Sequence, residues 1–252
     1  AASRCAHLGV VVCQAMGNYF QTLTPSLGSA ADADSIISVG AVTNNGSPAN
    51  FTSNGPTKDG RTKPDVSAPG VFVYAATVKE VSGNDTSYEF TSGTSFSTPI
   101  TAGICALILS AHPKLTPLQV RDALRNTASM STNPDNVLGW GIVNAYDALL
   151  YHGPVWSNSA DFSTENGQLK VSAKLASNSP VDMSSISFNY TTDNGRTLNT
   201  VKMTPAGTTD KNNCGEYFAL VSGLKDNFGM EYYFNVTDET GKKFSSPVMK
   251  VE

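Results

Sequence analysis

Three short, continuously apolar runs punctuate the first half of the chain: Val10-Val11-Val12-Cys13, Ser35 to Val42, and Phe72-Val73-Tyr74-Ala75-Ala76. Runs of this length without polar alternation suit strands buried on both faces, as in a parallel sheet. Ala1 to Leu8 reads as the end of a helix, closed by Gly9. From Ser95 to Ala111 the pattern turns helical. Ile100, Ile104, Leu107 and Ile108 mark one face, while Ala102, Gly103, Cys105 and Ala106 make the other small and apolar. A helix hydrophobic all round is predicted to be a central buried one. Thr116-Pro117-Leu118-Gln119 opens the next helix with a capping-box pattern, and that helix runs to about Asn126. A last short helix spans Asn144 to Tyr151 and stops at Gly153-Pro154.

Beyond Gly153 the texture changes. Apolar and polar residues alternate in Gln168–Leu175, Ser185–Thr191, Thr197–Met203, Glu216–Val221, Glu231–Val236 and Lys243–Val251. Turn residues separate them, notably Asn178-Ser179-Pro180, Asp193-Asn194-Gly195, Lys225-Asp226-Asn227 and Glu239-Thr240-Gly241. Short strands at this spacing predict an Ig- or fibronectin-like all-β sandwich. The division expected is an α/β part over residues 1–153 and a sandwich over 154–252.

With 252 residues, 40% hydrophobic and 15% charged, the composition is that of an ordinary globular chain. A net charge of −4 carries no electrostatic footprint for nucleic acid. The longest apolar stretches, around Gly103–Leu109 and Gly9–Cys13, fall short of the ~20 residues of a membrane span. Four cysteines, Cys5, Cys13, Cys105 and Cys214, show no metal-ligand spacing. Cys13 and Cys105 read as small buried hydrophobes with free thiols, and spacing cannot establish a disulfide. No metal or cofactor is expected, and the sequons at Asn50, Asn84, Asn189 and Asn235 are assigned no role.

The chemistry concentrates in Thr91-Ser92-Gly93-Thr94-Ser95-Phe96-Ser97-Thr98-Pro99. A glycine precedes a serine at the start of a buried helix. The free N–H groups and positive dipole end there stabilise developing negative charge, which suits a nucleophile. Equally, Ser95 or Ser97 could simply cap the helix, and on these residues alone the cap is the simpler reading.

Gly93-Thr94-Ser95-Phe96-Ser97-Thr98-Pro99 resembles the Gly-Thr-Ser-x-Ala/Ser-x-Pro segment around the nucleophile of subtilisin-like serine proteases, the subtilases of peptidase family S8. Further stretches resemble family segments in the expected order: Gly9 to Asn18, Ser38-Val39-Gly40-Ala41-Val42, Phe51 to Pro56, Lys63 to Gly70, and Gly139 to Ala145. The resemblance spans nearly all of residues 1–150. It implies an α/β fold with a partial subtilisin-like parallel sheet and a central buried helix. It implies a serine endopeptidase that forms an acyl-enzyme on Ser95, with the Asn18 side chain and the Ser95 N–H holding the oxyanion. Asn18 could otherwise be a turn residue after a strand. Gln14, Ala15, Met16 and Gly17 would line the substrate pocket, where Gln14 and Met16 depart from the family's small residues.

The family's Asp-Ser/Thr-Gly and His-Gly-Thr segments are missing. Only His7, His112 and His152 are present, and none lies in such a segment. His7 reads as a surface residue of the opening helix. The chain, which begins Ala1-Ala2-Ser3-Arg4, therefore reads as the C-terminal part of a longer secreted or cell-surface protease. Its partners would be peptide substrate and the upstream part of the same catalytic domain. An inactive homologue that binds peptides, or a mainly adhesive protein, is the alternative. The isolated chain is expected to be poorly stable, aggregation-prone and inactive, because triad members act as a unit. A cooperative melt together with serine hydrolase turnover from this polypeptide would contradict that.

Overall fold

After a short helix α1 (Ala2–His7), three strands form a parallel sheet: β1 (Cys13–Ala15), β2 (Ile37–Val42) and β3 (Val66–Pro69), in the order β1-β2-β3. The register pairs Cys13 with Ile37, and Val39 with Val66. The computed structural model describes residues 1–77, 87–193, 195–224 and 228–251. The Asn84 sequon, Asn194 and the predicted turn at 225–227 lie outside the described residues. The chain divides into two compact units, Ala1–Leu109 with Lys114–Ala148, and Ser110–Pro113 with Leu149–Glu252.

Every residue of β2 is buried, as its unbroken apolar run requires. β1 starts later than its apolar run suggests and is only half-buried, because it pairs on one side alone. β3 was hidden in the sequence by Pro64 just ahead of it and Pro69 at its end, which obscure a strand pattern. The run at Phe72–Ala76 does form a strand, but not in this sheet. It is β4 (Val73–Thr77), which pairs antiparallel with β5 (Ser87–Thr91) in a separate hairpin. The hairpin exposes Tyr74, Tyr88 and Phe90, with Tyr74 5.5 Å from Tyr88 and 5.1 Å from Phe90 between ring centroids.

Helices α2 (Thr94–Ala111), α3 (Pro117–Thr127) and α4 (Ala145–Leu150) follow. The core of the first unit joins Ile37, Val39, Val66 and Ala68 of the sheet to Ile104, Cys105 and Ile108 of α2 and Val120, Ala123 and Leu124 of α3. The capping box of α3 is formed as its sequence implies. Thr116 accepts from the Gln119 backbone, and Gln119 Oε1 accepts from the Thr116 N–H at 2.8 Å. α2 departs from expectation, because it is not buried all round. Ala102, Gly103, Ala106 and Leu107 are exposed, Leu107 to 55%. By length and composition α2 could cross a membrane, with a mean hydropathy of 1.4, yet its one buried face is packed on the sheet.

A buried ionic knot pins the sheet to α3. Asp65 is fully buried and accepts from Lys63 Nζ at 2.7 Å, from the Ser38 N–H and hydroxyl, and from Arg125 Nε at 2.9 Å. Arg125 also lies 3.8 Å over the Trp140 ring. Burial alone would raise the Asp65 carboxyl pKa, but the Lys63 and Arg125 charges hold it below the usual carboxylate range.

The second unit contains β6 (Val155–Trp156), β7 (Asp161–Glu165), β8 (Gln168–Ala176), β9 (Val181–Thr191), β10 (Asn199–Lys202), β11 (Thr204–Pro205), β12 (Gly215–Val221), β13 (Glu231–Asp238), β14 (Lys243–Ser245) and β15 (Met249–Lys250). All pair antiparallel in two five-stranded sheets, one built around β9-β13 and the other around β12-β8. Side chains of both sheets meet in one cluster that includes Trp156, Phe188, Tyr217 and Phe234. The period-2 pattern located the long strands. The expected Lys243–Val251 strand is split by Pro247, and the two-residue strands β6 and β11 were too short to show a period.

Removing one partner of a buried ion pair leaves an uncompensated charge. Asp65→Ala is therefore expected to cost about 3–5 kcal/mol, enough to unfold the first unit. Trp140 fluorescence should shift while the Trp156 environment in the second unit persists. Because the folded Asp65 pKa lies below its unfolded value, its contribution is present above about pH 4 and fades as pH falls further. An acid titration followed at Trp140 tests the sign, and no loss of the folded signal in acid would contradict it.

Candidate active site

β1 delivers the chain to the site. The Met16 N–H continues the strand pairing by donating to Val39 O at 2.9 Å, and the chain then turns at Gly17, whose φ is +111°. Only glycine takes this conformation without strain. A methyl group there would also sit 2.9 Å from Ser53 Oγ. The turn is held from outside: the Ser53 N–H donates to Gly17 O at 3.0 Å, and the Gly28 N–H to Met16 O at 2.8 Å. The turn places Asn18 beside the start of α2.

On the other side, the Gly93 N–H donates to Gly70 O at 2.8 Å. At φ +153°, Gly93 lets the chain enter α2 abruptly. Thr94 is buried and Ser95 is exposed at the second helical residue. Asn18 Oδ1 accepts both the Thr94 N–H at 3.0 Å and the Thr94 hydroxyl at 2.9 Å. The Gly17 N–H donates to Thr94 Oγ1 at 3.3 Å, closing the ring. Asn18 therefore caps α2 through its carbonyl oxygen, a task assigned provisionally to Ser95 or Ser97 by sequence. Ser97 is fully buried, and its hydroxyl has no hydrogen-bond partner among the described residues. The carboxamide nitrogen of Asn18 remains on the side of Gly93, 3.4 Å from where a Gly93 methyl would stand.

Gln14, Ala15, Gly17, Asn18, Thr94 and Ser95 line one open cleft of about 490 Å³, with Tyr19, Gly28 and Ser29. Four of the residues expected at a substrate pocket or oxyanion hole thus share this cleft with Ser95. Met16 does not. Met16 is fully buried, with no exposed surface. A second open cavity of about 690 Å³ also reaches Ser95, and Val11, Cys13, Ala102 and Cys105 line it.

None of the three histidines lines either cleft. His7 is exposed at the end of α1, with its Nε2 3.4 Å from Ser35 Oγ. His112 belongs to the second unit, where its Nε2 lies 3.1 Å from Leu149 O and burial lowers its pKa. His152 is beside it, at 6.1 Å between ring centroids. Among the described residues no three His, Cys, Asp or Glu side chains converge as a metal site. Sequence reasoning missed the part played by Thr94, although its place between Gly93 and Ser95 in the quoted motif was the available signal. It also missed that Cys13 and Cys105 meet.

The family model described as the subtilase family, peptidase S8, matches residues 2–141. This chain belongs to the subtilase family. The serine protease AprX of Bacillus subtilis (strain 168) is 37% identical over 157 residues, which cover 56% of this chain and 35% of that protein. Subtilisin E of the same organism is 38% identical over 141 residues, 56% of this chain and 34% of that protein. The chain thus spans about a third of the length of these relatives. Among solved structures, the self-cleaved protease domain of PatA is similar at 26% identity and a TM-score of 0.47, covering 60% of this chain and 54% of that one.

Gly17→Ala forces a side chain into the left-handed region and against Ser53. It is expected to cost about 1–3 kcal/mol, read as a lower urea midpoint of the Trp140 signal. An unchanged midpoint would show that the turn is not constrained as described.

Proposed function

We propose that this chain is the serine-bearing portion of a serine endopeptidase. Ser95 attacks the scissile carbonyl and forms an acyl-enzyme, which water then hydrolyses. The Asn18 carboxamide nitrogen and the Ser95 N–H hold the oxyanion of the tetrahedral intermediate, at the positive end of the α2 dipole. The observation that carries this reading is the Asn18–Thr94 ring. It fixes the carboxamide oxygen inward, so that the nitrogen is the half left for substrate. Gln14, Ala15 and Gly17 border the same cleft and set its side-chain preference, without a contribution from the Met16 side chain.

A serine needs a base, and no histidine stands in the cleft. We assign the base and its orienting carboxylate to an upstream part of the same catalytic domain, which would cover the exposed small face of α2. The apolar character of α2 then belongs to a domain interior rather than to a membrane. In this reading residues 1–153 are the C-terminal portion of the catalytic domain. Residues 154–252 form an Ig- or fibronectin-like sandwich accessory to it. A secreted or cell-surface location fits a peptidase of this class.

The test uses the polypeptide encoded with its upstream region. Ser95→Ala should abolish both peptide hydrolysis and labelling by a fluorophosphonate. Asn18→Ala should lower kcat with little change in KM, by on the order of 10²–10³, a range set by a subtilisin. The 252-residue chain alone should show no turnover. Full labelling of the Ser95→Ala protein, or an unaltered kcat in Asn18→Ala, would overturn the assignment.

A further inference from the structure

Two thiols far apart in sequence meet beneath the second cleft. Cys13 Sγ of β1 lies 3.9 Å from Cys105 Sγ of α2, across 92 residues of chain. Both side chains line the cavity that reaches Ser95. Their exposures differ: Cys13 is half-buried, whereas Cys105 is 3% exposed. Cys5 is exposed on α1, and Cys214 is buried in the second unit, so neither belongs to this pair.

We propose that Cys13 and Cys105 form a redox-modification site, which a low-molecular-weight disulfide converts to an intramolecular Cys13–Cys105 disulfide. Cys13, the more exposed of the two, loses its proton to solvent and attacks one sulfur of the small disulfide as the thiolate. That S–S bond breaks, and one small thiol leaves with the electron pair and takes up a proton. Cys105 then loses its proton to solvent and attacks the Cys13 sulfur of the mixed disulfide, expelling the second small thiol. Two protein thiols are oxidised, and one small disulfide is reduced to two thiols. The two sulfurs must close from 3.9 Å to the ~2.05 Å of an S–S bond, a movement two side chains can share.

The electrostatics favour this order of events. The hydrogen bond between the two thiols lowers the Cys13 pKa against the opposing effect of burial. The Cys105 pKa is raised by that same contact and by burial. Of the two, Cys13 is therefore the thiol that ionises more readily, and it is also the more exposed. The cross-link would join the strand that leads to Asn18 to the helix that opens at Thr94, along the wall of the cavity beside Ser95.

The experiment oxidises the polypeptide encoded with its upstream region, folded and in urea, with oxidised glutathione, then blocks free thiols and maps the disulfides by mass spectrometry. In the folded chain a Cys13–Cys105 link should dominate, with a loss of about 2 Da from the intact mass. In urea the short loop should win, because Cys5 and Cys13 lie only eight residues apart. Cys105→Ser should leave Cys13 as a stable glutathione adduct. The proposal is overturned if folded and urea-treated chains give the same link. It is also overturned if Cys13 and Cys105 stay free, or if glutathione remains on Cys13 of the unmodified sequence without being displaced.

Discussion

The first unit depends on one buried carboxylate. Asp65 stands at the entrance of β3, and four separate parts of the chain converge on it. Ser38 of β2 donates its backbone N–H and its hydroxyl, Lys63 its ammonium and Arg125 of α3 its guanidinium. The Asp65 backbone then accepts from the Trp140 N–H at 3.2 Å. A charge taken out of water tolerates only a complete set of partners. Sheet, helix and the closing segment must therefore arrive together, and that demand fixes their mutual placement more tightly than apolar contact alone. The register of β2 against β3 follows from it, and with it the level at which the neighbouring β1 ends and Gly17 turns.

Some of this architecture was written plainly along the chain. The α3 capping box, the buried run of β2 and the alternating strands of the second unit each express a local rule, in which neighbours in sequence are also neighbours in space. What escaped was what depends on distant residues. β3 shows no apolar periodicity of its own, because it is defined by Ser38 and by the chain at Gly141–Val143. The Phe72–Ala76 run has the composition of an interior strand, yet among the described residues it pairs with β5 alone. Composition reports how apolar a segment is, not which segment covers it.

The site divides in the same way. Ser95, Asn18, Gln14, Ala15 and Gly17 were singled out by motif and lie along one cleft. Met16 belongs to the same quoted stretch, but it is fully buried and does not line that cleft. Thr94 and the pairing of Cys13 with Cys105 are contacts across 76 and 92 residues, which no local pattern encodes. The exposed small face of α2 is the converse case. Its pattern predicts a helix buried all round, and among the described residues this face is open.

The ring between Gly17, Asn18 and Thr94 has a further meaning for precision. Asn18 hangs from the strand side and Ser95 from the helix side, and the two would ordinarily drift independently as side chains and loops fluctuate. Because Thr94 grips both the Gly17 N–H and the Asn18 carbonyl, positional error on one side is transmitted to the other. The residue that precedes Ser95 is the one that aims Asn18. Small displacements of the helix therefore carry the two groups together, and their separation varies less than the absolute position of either.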